Sequence, residues 1–237
     1  MGKVMYMRKG ETHTVPSAGI LASDIAVGST VKLMENGSPV EYLVVNQGVP
    51  SGSNLYDSSC NGTWLLRKDV FTISGWSSNN NSYKDSYIHG WLKNDFIGVF
   101  DSTTQDIIQQ VKIPYVNGVA GSAVANDLST KIFLLCGYEL GWNSVSSPYF
   151  PEDGACLDYF AGTTTKDSKR IAYFNSTATG WWTRSPSTYN AILVWYPSAG
   201  GDCYDDRMDV SHGVRPALVL SSNALFDKNT LTLKGVS

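Results

Sequence analysis

The sequence is short of charge, of histidine and of long apolar runs, and each shortage removes a class of function. Only 16% of the 237 residues are charged, and 18 Lys+Arg stand against 21 Asp+Glu for a net charge of -3. With no basic excess and no Lys/Arg stripe interleaved with aromatics, nucleic acid is not an expected partner. No apolar run approaches the length of a bilayer span, so membrane insertion is not expected. The first residues, "MGKVMYMRKGETHTV", lack the continuous apolar region of a secretory leader. A role outside the cell would then require another exit route, such as a virion or lysis.

Metal and cofactor signatures are equally scarce. Cys60, Cys136, Cys156 and Cys203 form no C-x-x-C pair, and their spacing suits buried or incidental free thiols better than a zinc site. His13, His89 and His212 lie far apart in no ligand spacing, and His89 reads as a helix-face residue hydrogen-bonded locally. No G-x-S-x-G elbow, G-x-G-x-x-G turn or phosphate loop occurs. "GGDCYDDRMD" invites a calcium site but lacks the D-x-D-x-D-G loop ending in Glu, and reads as a solvated acidic segment. The expectation is no catalytic residue, no metal and no cofactor.

What is present is polarity carried by Ser, Thr, Asn and Gly, which favours strands and loops. "TVKLMENGSPVEYLVV" is a hairpin pattern, with Asn36-Gly37 supplying the positive φ of a tight turn. "GTWLLRKDVFTIS" continues as strand. The period then becomes helical: Ile88, Trp91, Leu92 and Phe96 follow the cap candidates Asp85 and Ser86. A second helix is expected after Asp101 or Ser102, with Ile107, Ile108 and Val111 on its apolar face and Pro114 beyond its end. "GVAGSAVANDLSTK" reads as a flexible connector, and "IFLLCGYELGW" fits either strand or helix. Strands from Trp181 onward complete an α+β reading. Residues 1–27 read as an arm or attachment segment and 28–237 as one domain.

The segment from Ser187 to His212 has no folding period and a composition suited to contact. Tyr, Ser, Asn, Gly and Arg dominate adaptable recognition surfaces, because Tyr brings large amphipathic area at low entropic cost. Its flanks, "WWTRSP" and "GVRPALVL", are core-like, and each carries an Arg set for packing against aromatic rings.

Several motifs together resemble a known family. "GSTVKL", "YDSSCNGTWLL", "IHGWLKNDF", "STKIFLLCGYELGW", "YFPEDGACLDYF", "WWTRSP" and "GVRPALVL" are similar to the C-type-lectin-fold variable proteins of diversity-generating retroelements in gut phages and prophages. The resemblance implies a C-type lectin fold of small antiparallel sheets braced by two helices. It also implies a variable region at about 187–212, whose codons derive from adenine-mutated templates. Such codons cannot encode Lys, Glu or Gln, and none of the three occurs there. Trp195 and Met208 are likewise outside that code, so both are assigned to the scaffold.

Carried onto this chain, the resemblance makes Tyr189, Asn190, Ile192, Leu193, Tyr196, Ser198, Tyr204, Asp205, Asp206, Arg207, Asp209 and His212 ligand contacts. Trp181, Trp182, Arg184, Gly213, Arg215 and Pro216 join Trp195 and Met208 as frame. The implied partner is a protein or glycan target on a cell surface, with the N-terminal arm serving virion attachment or homo-oligomerisation. Calcium-dependent sugar binding is not implied, since only "WNS" at Trp142 approaches the lectin motifs. Two other classes fit parts of the pattern. One is an oxidase like the formylglycine-generating enzymes, which needs a reactive cysteine pair where this chain has only Cys203; the other is a structural virion protein without ligand.

Overall fold

The computed structural model describes residues 19–52, 54–79, 81–118, 124–142 and 147–236. His13, most of the expected arm and the last two residues of "WNS" lie outside the described residues. In chain order the strands are β1 (Gly19–Leu21), β2 (Thr30–Glu35), β3 (Ser38–Gln47), β4 (Thr63–Arg67), β5 (Thr72–Ser74) and β6 (Val111–Val116). There follow β7 (Val124–Thr130), β8 (Ile132–Phe133), β9 (Tyr173–Phe174), β10 (Thr177–Ala178) and β11 (Leu193–Pro197). The chain closes with β12 (Cys203–Arg207), β13 (His212–Val214), β14 (Ala217–Leu220), β15 (Ala224–Asp227) and β16 (Leu233–Val236). The α-helix α1 spans Tyr87–Asn94.

The largest sheet runs β2-β3-β4-β14-β8, and every neighbouring pair in it is antiparallel. Its first hairpin turns on Asn36 and Gly37 at φ 48° and 78°, the left-handed pair that a two-residue connection requires. In β2 the inward positions alternate, with Val31, Leu33 and Glu35 buried. Glu35 is tolerated there because Arg67 Nε donates to it at 2.9 Å and the Tyr42 hydroxyl at 2.6 Å. β14 is buried at every position and pairs on both edges, so its Ala-Leu-Val-Leu needs no alternation. Trp64 meets Phe133 and Tyr56 edge-on at 5.5 Å and 5.8 Å, and burying a side chain such as Phe133 contributes about 2–3 kcal/mol.

The smaller sheets are β1-β15-β16, β6-β7, β13-β5, β11-β12 and β9-β10. Residues 19–27, read from sequence as arm, pack into this body: β1 pairs with β15, and Ala22 and Ile25 are buried.

The expected α+β C-type lectin architecture with two bracing helices is corrected here. Small antiparallel sheets dominate the described residues, and α1 is the one helix of any length. Ser86 caps α1 by accepting from His89 N–H, and Ile88, His89 and Leu92 form its buried face. The second expected helix is a six-residue segment, Ser102–Ile107, capped by Asp101. It stops because Val111, Ile113 and Tyr115 alternate into β6. Pro114 lies inside that strand rather than beyond a helix, at a register shift where no ladder N–H is needed.

The expected connector supplies β7, whose backbone groups pair with β6. His89 is buried with Nδ1 unpaired, and burial lowers its pKa to about 4, so it is a neutral core ring rather than a locally bonded surface one. No helix among the described residues is long and apolar enough to cross a membrane.

Candidate recognition surface

The frame around 187–212 is held by buried polar anchors. Trp181 Nε1 donates to Arg170 O at 2.8 Å, Trp182 Nε1 to Ser74 O at 3.0 Å and Trp76 Nε1 to Thr183 O at 2.9 Å. Arg184, fully buried, forms a fork on Glu139 at 2.5 Å and 2.6 Å and donates to the carbonyls of Pro114 and Leu134. Its aromatic neighbour is Phe133 at 5.9 Å, whereas Arg215 lies over Trp181 at 4.8 Å. Arg215 donates to Arg67 O, no carboxylate among the described residues forms an ion pair with it, and burial pushes its pKa down to about 10.

Asp153 completes this polar core beneath the surface. It accepts from the Ser185 hydroxyl at 2.7 Å, yet burial pushes its pKa up to about 6 despite nearby Arg184. The Cys136 thiol stabilises the anion weakly without reaching hydrogen-bonding geometry at Oδ1. Because the folded pKa lies above the usual value of 3.8, the folded state binds the proton more tightly. That contribution to stability is complete below about pH 4 and is lost as pH rises through 6. Asp153→Asn keeps an acceptor for Ser185 and removes the ionisation. Its unfolding free energy relative to the parent therefore rises by about 2 kcal/mol from about pH 4.5 to about pH 7.5. Parallel stability curves in urea titrations across that range would show that Asp153 carries no such linkage.

On this frame β11 and β12 pair so that Tyr196 faces Tyr204, Trp195 faces Asp205 and Leu193 faces Arg207. One face gathers Tyr196, Tyr204, Asp206 and His212. The His212 ring stacks on Tyr196 at 4.1 Å, Trp182 meets it edge-on at 4.6 Å, and its Nε2 lies 2.9 Å from Asp206 Oδ2. Partial burial, with Asp206 close by, raises the Tyr196 pKa. Tyr204 stands 54% exposed at the outer end of the cluster.

Arg207 forms a separate bidentate pair with Asp209 at 2.9 Å and 2.6 Å. Tyr189, 70% exposed, packs at 4.4 Å on Tyr149, and Ile192 is exposed nearby in sequence. Asn190 and Ser198 are partly committed to their own turns: Asn190 Oδ1 accepts from Ile192 N–H, and Ser198 Oγ from Gly200 and Asp202 N–H.

None of the twelve expected contact positions is buried, and all eight expected frame positions are. Trp195 sits edge-on to Phe150 at 5.1 Å, and Met208 O accepts from the N–H groups of Trp76 and Ser77. Three positions important to this surface are absent from the expected set. Asn81 Nδ2 faces the carbonyls of Ser187, Asn190 and Leu193 at 3.0, 3.0 and 3.3 Å, fixing the entry to β11 from a loop remote in sequence. Gly201 turns the hairpin at φ +81°. Tyr149 supplies ring area beside Tyr189. Only Gly200-Gly201 carried a legible signal, as a turn dipeptide.

A β-sheet protein with a rigid buried frame under an exposed aromatic and ionic hairpin is the class that these features define. A family model described as "Domain of unknown function (DUF6273)" matches residues 61–222, and the chain belongs to that family. The match runs from just before β4 to just after β14, and so includes the frame and the hairpin. Neither a curated protein nor a solved structure matches the chain.

Proposed function

We propose that this protein is a non-enzymatic recognition protein. Its segment 187–212 is the diversified surface of a retroelement-driven variable protein, meeting a protein or glycan target from a virion or cell surface. The supporting observation is the separation of burial along one segment: none of the twelve contact positions is buried, while Trp195 and Met208 pin the same segment to the core. Substitutions confined to exposed positions leave folding nearly untouched and act on contact.

Replacing the twelve contact side chains by a different set leaves the unfolding free energy within about 1 kcal/mol of the parent. The same exchange changes which members of an array of cell-surface proteins and glycans are retained. An unchanged set of retained targets sinks the proposal. The genetic half is read from flanking DNA, where a reverse-transcriptase gene and an adenine-rich near-copy of codons 187–212 are expected. The oxidase alternative draws no support from the thiols, because a reactive cysteine needs a lowered pKa, whereas burial pushes Cys203 up to about 12 and Cys60 up to about 11.

A further inference from the structure

Beside the hairpin, a cleft of about 240 Å³ opens between the end of β5 and the start of α1. It is lined by Ser74, Gly75, Ser77, Ser78, Tyr87 and Asp209, of which only Asp209 belongs to the segment 187–212. We propose that this cleft is a subsite for a neutral polyhydroxylated ligand, one pyranose ring of a glycan. This rests on the recognition reading and deepens it by naming a ligand class for a cleft whose lining, Asp209 apart, lies outside the diversified segment.

The lining chemistry selects that class. Ser74 Oγ donates to Gly75 O at 3.0 Å and Ser78 Oγ to Asn79 Oδ1 at 3.1 Å, so both hydroxyls keep lone pairs for an incoming O–H. Asp209 adds carboxylate oxygens, and Tyr87, 63% exposed, adds an aromatic face and a phenol. An acceptor-rich wall beside an exposed ring suits a ligand with many hydroxyl donors and an apolar C–H face. An anion finds no cationic side chain in the lining and a carboxylate at the rim. A simple cation finds that carboxylate already engaged, because Arg207 donates to both of its oxygens.

The cleft is also held in place. The N–H groups of Trp76 and Ser77 donate to Met208 O at 2.8 Å and 3.1 Å, His212 pairs with Ser74, and Trp182 Nε1 donates to Ser74 O. A hydrogen-bonding site built on fixed backbone loses little on ligand arrival to reordering.

Saturation-transfer NMR on the full chain, with the methyl pyranosides of glucose, galactose, mannose and N-acetylglucosamine as probes, tests the assignment. At least one pyranoside is expected to receive saturation. Tyr87→Ala is expected to weaken it about tenfold, while Tyr87→Phe retains it; Tyr87 is exposed at the first helical position, so both variants are expected to fold, with circular dichroism as the check. No transfer to any of the four probes overturns the proposal, as does transfer undiminished by Tyr87→Ala.

A triple Tyr189, Tyr196 and Tyr204→Ala variant separates the two readings. It is expected to keep pyranoside binding, and loss of binding there with retention in Tyr87→Ala assigns the sugar to the hairpin and overturns the cleft. If exchanging the eleven contact side chains other than Asp209 changes no target while pyranoside binding still depends on Tyr87, the recognition reading falls and the cleft stands.

Discussion

Replacing Arg184 by leucine lowers the unfolding free energy by about 3–5 kcal/mol, enough to unfold many domains of ordinary stability at physiological temperature. Among the described residues Arg184 is the only cation that contacts Glu139, which is itself fully buried and also accepts from the Tyr56 hydroxyl at 2.8 Å and Cys136 N–H at 2.9 Å. Asp153 lies in the same field. Leucine fills part of the volume but leaves two buried carboxylates without countercharge and two carbonyls without a donor. Lysine does not repair the site, because a single ammonium cannot reproduce the planar fork that spans both Glu139 oxygens. Removing charge from both partners, as Arg184→Leu with Glu139→Leu, recovers part of the loss. Urea denaturation of the three variants reads all of this, and a loss below about 1 kcal/mol in the single leucine variant contradicts a keystone role.

The second large effect separates two adjacent glycines. Gly201→Ala costs about 3 kcal/mol, combining a left-handed conformation with steric overlap. At φ +81° an added Cβ would stand 2.2 Å from Asp167 O, a backbone atom that cannot step aside. The displacement would also disturb Gly201 O, which accepts from Asp167 N–H and Arg170 Nη1. Gly200→Ala meets only side-chain ends, the Asp202 carboxylate at 3.1 Å and Lys166 Nζ and Ser198 Oγ at 3.7 Å, and costs less than about 1 kcal/mol. Thermal denaturation distinguishes the pair, and equal midpoints would refute the account. Position 201 therefore behaves as frame within residues 187–212, joining Trp195 and Met208, and under the proposed function it would be held constant although glycine is within the code of mutated adenine codons.

The sequence made visible what depends on neighbours in the chain. Asn36-Gly37 and Ser86 act over a few residues, so the hairpin β2-β3 and the cap of α1 were legible. Val111 was assigned to a helix because Ile107, Ile108 and Val111 also satisfy a helical period; over so few residues two periods fit, and the pairing with β7 decides. β7 itself was hidden in a run of small residues, since strand identity there comes from a partner's backbone rather than from side-chain pattern. The unusual composition of residues 187–212 was legible, yet the role of Asn81 beneath them was not. Its acceptors are main-chain carbonyls 106 to 112 positions away, which no motif records.

The outer edge of β12 has one further consequence. β11 is covered, since Thr183 N–H donates to Trp195 O and Trp195 N–H to Ser185 O, but no described strand pairs with the far side of β12. Local contacts close both ends of that edge, with Lys166 bridging Asp202, Arg207 N–H donating to Asp206 Oδ1 and Arg207 O accepting from Val210 N–H, and the charges of Asp205, Asp206 and Arg207 make the stretch between them repellent to strand addition. Under the proposed function, exchanging Asp205, Asp206 and Arg207 would therefore alter this charged guard against strand addition as well as the contact surface.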